Sequence, residues 1–422
     1  MSAASTKARH FLLIAIGSAG DVHPFVGLGQ ALQRRGHRAT IVTTGFFESL
    51  VRGAGLGFVE LTSADHYLQM IQRPELFQGL KAPAFVMRHA IGPVVQPVYQ
   101  IIAEHRAVEP LTVVASSLAF GARVAQDKLG VPTATIHLQP VVLRSYRRPV
   151  RLPGMLTGSW VPPWLVRLQF WFADKVVIDR LLGPQVNGLR SELGLPPVSR
   201  LFGGYMHSPT LAVGLWPEWF APPQPEWPSQ VRLTGFPLYD ERDVVPLGAE
   251  VEAFLAAGSP PIAFTPGSAM VHSREFFTAA VEACRRLGRR GILLTRHSEQ
   301  LPTPIPAYVR HFDFVPFSQL LPRCAAVVHH GGIGSLSQAM AAGVPQVVMS
   351  MAHDQFDNAA RAEGLGVGIE VSAKQFNAET LTAALMRLID RPEVTEACRQ
   401  VAARLAGNTA LDDTARLVES LG

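Results

Sequence analysis

The chain carries two kinds of apolar pattern that alternate along its length. Short runs with little polar interruption stand at 11–16, 111–115, 132–138, 261–265, 291–295 and 346–350. Such runs predict strands buried on both faces of a parallel sheet. Between them lie segments with apolar residues three and four positions apart, at 25–35, 118–129, 275–287 and 336–342, which predict helices. Pro24 fits the first turn of the first helix, while Gly36 and Gly343 stand where helices should end. The alternation runs once from Phe11 to Leu138 and again from Pro261 to Val371, so the fold class is α/β with two doubly wound parallel sheets.

Between the two series, 216–237 holds Pro217, Pro222, Pro223, Pro225, Pro228 and Pro237 and reads as an extended linker. The expected domains are therefore 1–229 and 230–400, with a C-terminal helical segment at 401–422. Two helices, 378–389 and 392–421, close the chain. Length agrees: 422 residues, 48% hydrophobic, suffice for two cores. With 17% charged residues and no block of like charge, large disordered regions are not expected.

The net charge of +5 is modest, and no nucleic-acid-binding module is present. Its distribution is uneven. Arg144, Arg147, Arg148 and Arg151 precede Trp160, Trp164, Phe170, Trp171 and Phe172. This stretch reads as a solvated loop followed by a core helix, or as a surface resting on an anionic membrane. Cys284, Cys324 and Cys398 are odd in number, lack metal-ligand spacing and suit a reducing cytosol. Nowhere do eighteen apolar residues run together. The expectation is a cytoplasmic protein, soluble or peripheral at the inner membrane face.

The chemistry concentrates at 327–355. After a predicted strand, Gly331, Gly332 and Gly334 allow close backbone approach, and Ser335 falls where a helix start exposes unpaired N–H donors. That arrangement suits a diphosphate, with His330 as an added donor. Asp354 and Gln355 follow the next strand and should reach the same rim, where an acid and an amide suit sugar hydroxyls. In the first domain, the loop Gly17-Ser18-Ala19-Gly20-Asp21-Val22-His23-Pro24 lacks Gly-x-Gly-x-x-Gly, so a nicotinamide or flavin cofactor is not expected. If a hydroxyl is to displace a diphosphate, this loop needs a base. Asp21 and His23 are the candidates: His23 by its ordinary pKa, Asp21 if burial raises its own. A helix N-cap would also account for Asp21.

The order His330-x-Gly332-x-x-Ser335, helix, Gly343-x-Pro345 and Asp354-Gln355 resembles the signature of family 1 nucleotide-sugar glycosyltransferases of the GT-B class. The resemblance implies GT-B architecture, two Rossmann-like domains facing across a cleft, with the last helix crossing back to the first domain. Aligned on Gly20 and Pro24, it puts the base at Asp21, with His23 the lesser candidate. It implies donor contacts from Gly267, Ser268, Val315, His330, Gly331, Gly332, Gly334, Ser335, Gln338, Asp354 and Gln355. Acceptor contacts would come from Ser18, Ala19, Phe85, Met87, Trp164 and Phe170. Inversion at the anomeric carbon is implied; with no Asp-x-Asp in the chain, no metal and no cofactor are expected beyond the nucleotide-diphosphate sugar as co-substrate. Gln338 stands where the family has a ribose-binding acid and Phe317 where it often has Gln, which leaves uracil and thymine donors both open.

The phrases 14–22, Met206-His207-Ser208-Pro209, 219–224, 234–238 and 352–358 look like those of the rhamnosyltransferases of rhamnolipid biosynthesis. That resemblance implies transfer of L-rhamnose from dTDP-rhamnose to the hydroxyl of a hydroxyacyl lipid. The alternatives are a UDP-glucose-dependent enzyme acting on another lipid, sterol or polyketide, and a nucleotide-sugar epimerase of the same architecture.

Overall fold

The computed structural model describes residues 8–79, 81–158, 160–242, 245–270 and 273–421. Two parallel sheets form its frame. The first contains β1 (His10–Ile14), β2 (Arg38–Thr43), β3 (Gly57–Glu60), β4 (Leu111–Ser116), β5 (Thr133–His137), β6 (Leu211–Gly214) and β7 (Val231–Leu233), in the spatial order β3-β2-β1-β4-β5-β6-β7. The second contains β8 (Ile262–Thr265), β9 (Gly291–Leu294), β10 (Val309–Phe312), β11 (Ala326–His329), β12 (Gln346–Val348) and β13 (Gly368–Glu370), in the order β10-β9-β8-β11-β12-β13. The order reverses between β1 and β4, which pair from His10 with Leu111 to Ile14 with Ala115. In the second sheet it reverses between β8 and β11. At each reversal the chain leaves adjacent strands in opposite directions, and a crevice opens at their carboxyl ends.

Helices cover both sheets. Phe25, Leu28 and Leu32 of the helix Ala19–Arg34 pack on the first sheet together with Ala415 and Val418 from the end of the chain. The second core joins Phe277, Ala280 and Cys284 to Leu381 and Leu385. No described helix is long and apolar enough to cross a membrane.

Three expectations change. The proline-dense stretch is more than an extended linker: Trp216 and Phe236 are fully buried, packed with Phe220 against Leu336, Met340, Val401 and Leu405. Val231–Leu233 adds to the edge of the first sheet, so that sheet continues beyond residue 229. The predicted helix 392–421 is two helices, Pro392–Leu405 and Ala410–Glu419, parted around Gly407 at φ 68°. The first packs in the second domain and the other on the helix Ala19–Arg34. Splitting lets one segment serve both domains.

Candidate active site

β1 delivers its chain to the crevice, and the helix Ala19–Arg34 begins there, capped at Ser18. Pro24 therefore lies well inside the helix rather than in its first turn. With no N–H, it makes no hydrogen bond back to the carbonyl of Gly20, a residue exposed at the crevice. Asp21 occupies the third helical position, not the N-cap. Its carboxylate accepts from the Ser18 N–H at 2.7 Å and the Ser18 hydroxyl at 3.2 Å. It folds over Gly17, where a Cβ would lie 2.2 Å from Oδ2. Burial pushes the Asp21 carboxyl up to about 6, against the pull of the Ser18 donors, and the nearby Asp354 adds to the rise. Burial raises the Tyr67 phenol as well, and the Asp21 charge adds to the rise. His23 has partners of its own. Its Nε2 pairs with Glu241 Oε1 at 3.0 Å and its ring meets Tyr239 edge-on.

In the second domain β11 ends in His329, which is fully buried. Its Nε2 bonds Gln346 Oε1 at 2.8 Å, and its Nδ1 accepts the Gly331 N–H at 3.0 Å. Only the Nε2–H tautomer satisfies both, so this ring fixes the turn from beneath. His330 lies between glycines: a Cβ on Gly267 would approach its ring at 2.7 Å, and one on Gly332 at 2.6 Å. Burial, with His329 and His353 nearby, pushes His330 down to about 3, so it is neutral at physiological pH. Its Nδ1 is buried without a partner among the described residues, and so is Gln338 Nε2. Buried polar atoms in that condition are completed by water or by a bound ligand. The helix Ile333–Ala341 starts directly after the turn, its first N–H groups aimed at the same crevice.

The loop after β12 completes this half. Gln355 Oε1 accepts from the Met351 N–H at 2.7 Å and the Ala352 N–H at 3.0 Å, which leaves its amide nitrogen to donate outwards. Asn358 donates to Gly331 O at 2.9 Å and Asp354 Oδ2 at 2.6 Å, tying the acid to the glycine turn. Burial raises Asp354 to about 6, with the Asn358 donor opposing. His353, held at φ 56°, reaches across the crevice and its Nε2 bonds Leu76 O at 3.1 Å. Asp357, by contrast, accepts from the Arg151 N–H at 2.9 Å and Arg361 Nε at 2.6 Å, a domain-joining role away from the crevice.

The two halves enclose one cavity of about 1590 Å³. Asp21, His23, Ser18, Ala19, Gly267, Ser268, Val315, His330, Gly332, Gly334, Ser335, Gln338, Asp354 and Gln355 all line it, as do Met87 and Phe170. Three expected residues do not. Gly331 lies behind the turn against Val348 and Gln355. Phe85 packs at a tilt beside the His89 ring. Trp164, 66% exposed, is turned outwards. The first-domain wall is largely apolar, with Phe47, Leu50, Met70, Ile71 and Leu76 among its residues. His329, His353 and Asn358 were not singled out from the sequence. Asn358 follows Asp354 by four positions, one helical turn, and the doubled histidine hinted at His329.

Residues 11–146 match the glycosyltransferase family 28 N-terminal domain, and residues 290–421 the C-terminal domain of the erythromycin biosynthesis protein CIII-like family. The chain is similar to an O-mycaminosyltylonolide 6-deoxyallosyltransferase of Streptomyces fradiae, 29% identical over 96% of each chain. It is 28% identical to a sterol 3-beta-glucosyltransferase of Saccharomyces cerevisiae, over 90% of this chain and 32% of that one. A solved glycosyltransferase of kitacinnamycin superposes with a TM-score of 0.72 at 21% identity, over 99% of this chain and 100% of the other. Two Rossmann-like domains and these matches define a GT-B glycosyltransferase of the nucleotide-sugar type. The enzyme is a hexosyltransferase with a nucleotide-sugar donor and a small-molecule acceptor.

Proposed function

We propose that the enzyme transfers a 6-deoxyhexosyl group, L-rhamnose from dTDP-rhamnose, with inversion to the hydroxyl of a hydrophobic acceptor of the hydroxyacyl-lipid kind. One observation carries this reading: Asp21, raised to about 6, faces Asp354 and the His330 turn across a cavity whose first-domain half is apolar. Asp21 is the base, positioned by Ser18 and largely ionised at neutral pH. It takes the acceptor proton as the oxygen attacks the anomeric carbon. The departing diphosphate is held by His330, Ser335 and the backbone amides of the turn, donors fixed before the reaction begins. Asp354 and the free amide of Gln355 hold sugar hydroxyls, Gln338 the ribose, and Val315 the base. The Glu241 pair makes His23 a brace for the helix rather than the base.

The cavity exceeds the ~300–1,000 Å³ usual for one small ligand, in keeping with a donor and a bulky acceptor bound together. Its apolar wall has no use in an epimerase, which takes no acceptor. The Streptomyces relative is named as a 6-deoxyallosyltransferase, which supports a 6-deoxy sugar; the yeast relative favours a second reading, glucose from UDP-glucose to a sterol or polyketide. Its place of work in this reading is the cytosol, where Cys284, Cys324 and Cys398 stay reduced. Mass spectrometry of products from dTDP-rhamnose and UDP-glucose, each crossed with hydroxyacyl lipids, sterols and macrolides, decides between them. Rhamnosylated lipid is the expected product; turnover of UDP-glucose alone overturns the rhamnosyl assignment.

A further inference from the structure

The helix Pro163–Phe172 has two apolar faces. On the inner one Val166 and Phe170 are buried, and Phe170 lines the cavity with Ala173 and Val177. On the outer one Trp164, Leu168, Trp171 and Phe172 are exposed by 66, 51, 53 and 55%. At ~100° per residue, these four fall within an arc of about 100°. The preceding loop extends the patch with Leu156 at 51% and Trp160 at 72%. Gln169 holds that loop against the helix through bonds to the Leu156 N–H and carbonyl. Apolar surface of this extent, rich in tryptophan, marks a contact surface.

Charge identifies the partner. Within 141–181 stand seven basic residues and two acids. Both acids are withdrawn: Asp174, 1% exposed, is clamped by Arg144, and Asp179 accepts from the Arg200 and Leu201 N–H groups. Arg147, Arg148, Arg167, Lys175 and Arg180 remain exposed within the same stretch of chain. Of these, Arg148, Arg167 and Arg180 form no ion pair among the described residues. A second copy would bring the same cations face to face, an unfavourable pairing. An anionic bilayer complements both features, since indole rings settle at the boundary of headgroup and acyl chain while guanidinium groups meet lipid phosphates.

We propose that this face seats the enzyme on an anionic phospholipid bilayer. The cavity then lies on the far side of a single helix, about 10 Å thick, from the lipid. That the acceptor is drawn from the bilayer rests on the reading of the cavity given above; the seating does not.

The test is co-sedimentation of the full chain with vesicles of phosphatidylcholine, with and without phosphatidylglycerol, at low and high salt. Binding should be about tenfold or more tighter with phosphatidylglycerol and weaken as salt rises. W164E/W171E and R167E/R180E should each lower it about tenfold or more, while calorimetric binding of a nucleoside diphosphate stays as in the parent and reports an intact fold. Equal sedimentation with both vesicle types, or variants that bind like the parent, overturns the proposal. So does light scattering that shows a dimer lost in W164E/W171E with no vesicle binding, or capture of a protein through this face in its place. If vesicles bind but only soluble acceptors are glycosylated, the acceptor reading falls and the seating stands.

Discussion

Asp21 is ionised at a cost the fold could have avoided. Its native pKa of about 6 lies above the ordinary aspartate value of ~3.9, so between these pH values the native state holds a proton that the unfolded chain has released. The ionised form therefore lowers stability at pH above about 6, and the effect vanishes below about 4. Asp21→Asn keeps an oxygen for the Ser18 N–H and removes the charge. It should melt higher than the parent at pH 8 and equally at pH 4, while kcat falls at least ~100-fold. In the parent, kcat/KM should drop as pH falls through about 6; a flat profile from pH 5 to 8 would remove Asp21 as base. Gly332→Ala tests the other half: at φ −61° the backbone accepts alanine, but its Cβ meets the His330 ring at 2.6 Å. Nucleoside-diphosphate affinity, read by calorimetry, should fall about tenfold with little change in melting temperature.

At the level of elements, the two alternating series were readable because buried parallel strands are nearly all apolar and the helices between them are not. β11, its glycine turn and β12 could be read for that reason. β3, β6 and β7 could not: they are short, and β7 lies in a proline-dense stretch whose pairing comes from a neighbour far away in sequence. The start of the helix Ala19–Arg34 was misjudged through Pro24, which is tolerated inside because Gly20 is exposed at the crevice. Trp164 and Phe170 looked alike in sequence, and only the phase of their helix separates an outward residue from a cavity residue. His353 acts at this scale, since its bond to Leu76 closes the second-domain loop on the first. His353→Ala should lower kcat several-fold while nucleoside-diphosphate affinity, a property of one domain, changes less; stopped-flow binding beside steady-state rates separates the two.

Across the whole molecule, the domains are joined at more than the linker. Arg151 reaches the second domain through its N–H to Asp357 and its guanidinium to Glu370 at 2.7 Å. Glu419, near the end of the chain, bonds Arg35 at 2.6 Å and His37 at 2.7 Å in the first. The Arg35 contact, with help from His37, holds the Glu419 carboxyl below its usual value, so its stabilisation is present above pH ~4.5 and fades as pH falls through the lowered pKa. Glu419→Gln should cost about 1 kcal/mol at pH 7, the pair being partly exposed, and less at pH 3, as measured by urea unfolding.

The returning segment also decides how such an enzyme can be recombined. The helix Ala410–Glu419 rests on the helix that carries Asp21; Leu411 fills the space above Gly27, and Thr414 bonds Thr234 at 2.9 Å. An exchange of donor halves with a relative, cut once in the linker, would therefore import a foreign clasp against the native helix Ala19–Arg34. A hybrid with a second junction between Leu405 and Ala410, which returns this chain's own last helix, should keep its acceptor range while adopting the new sugar.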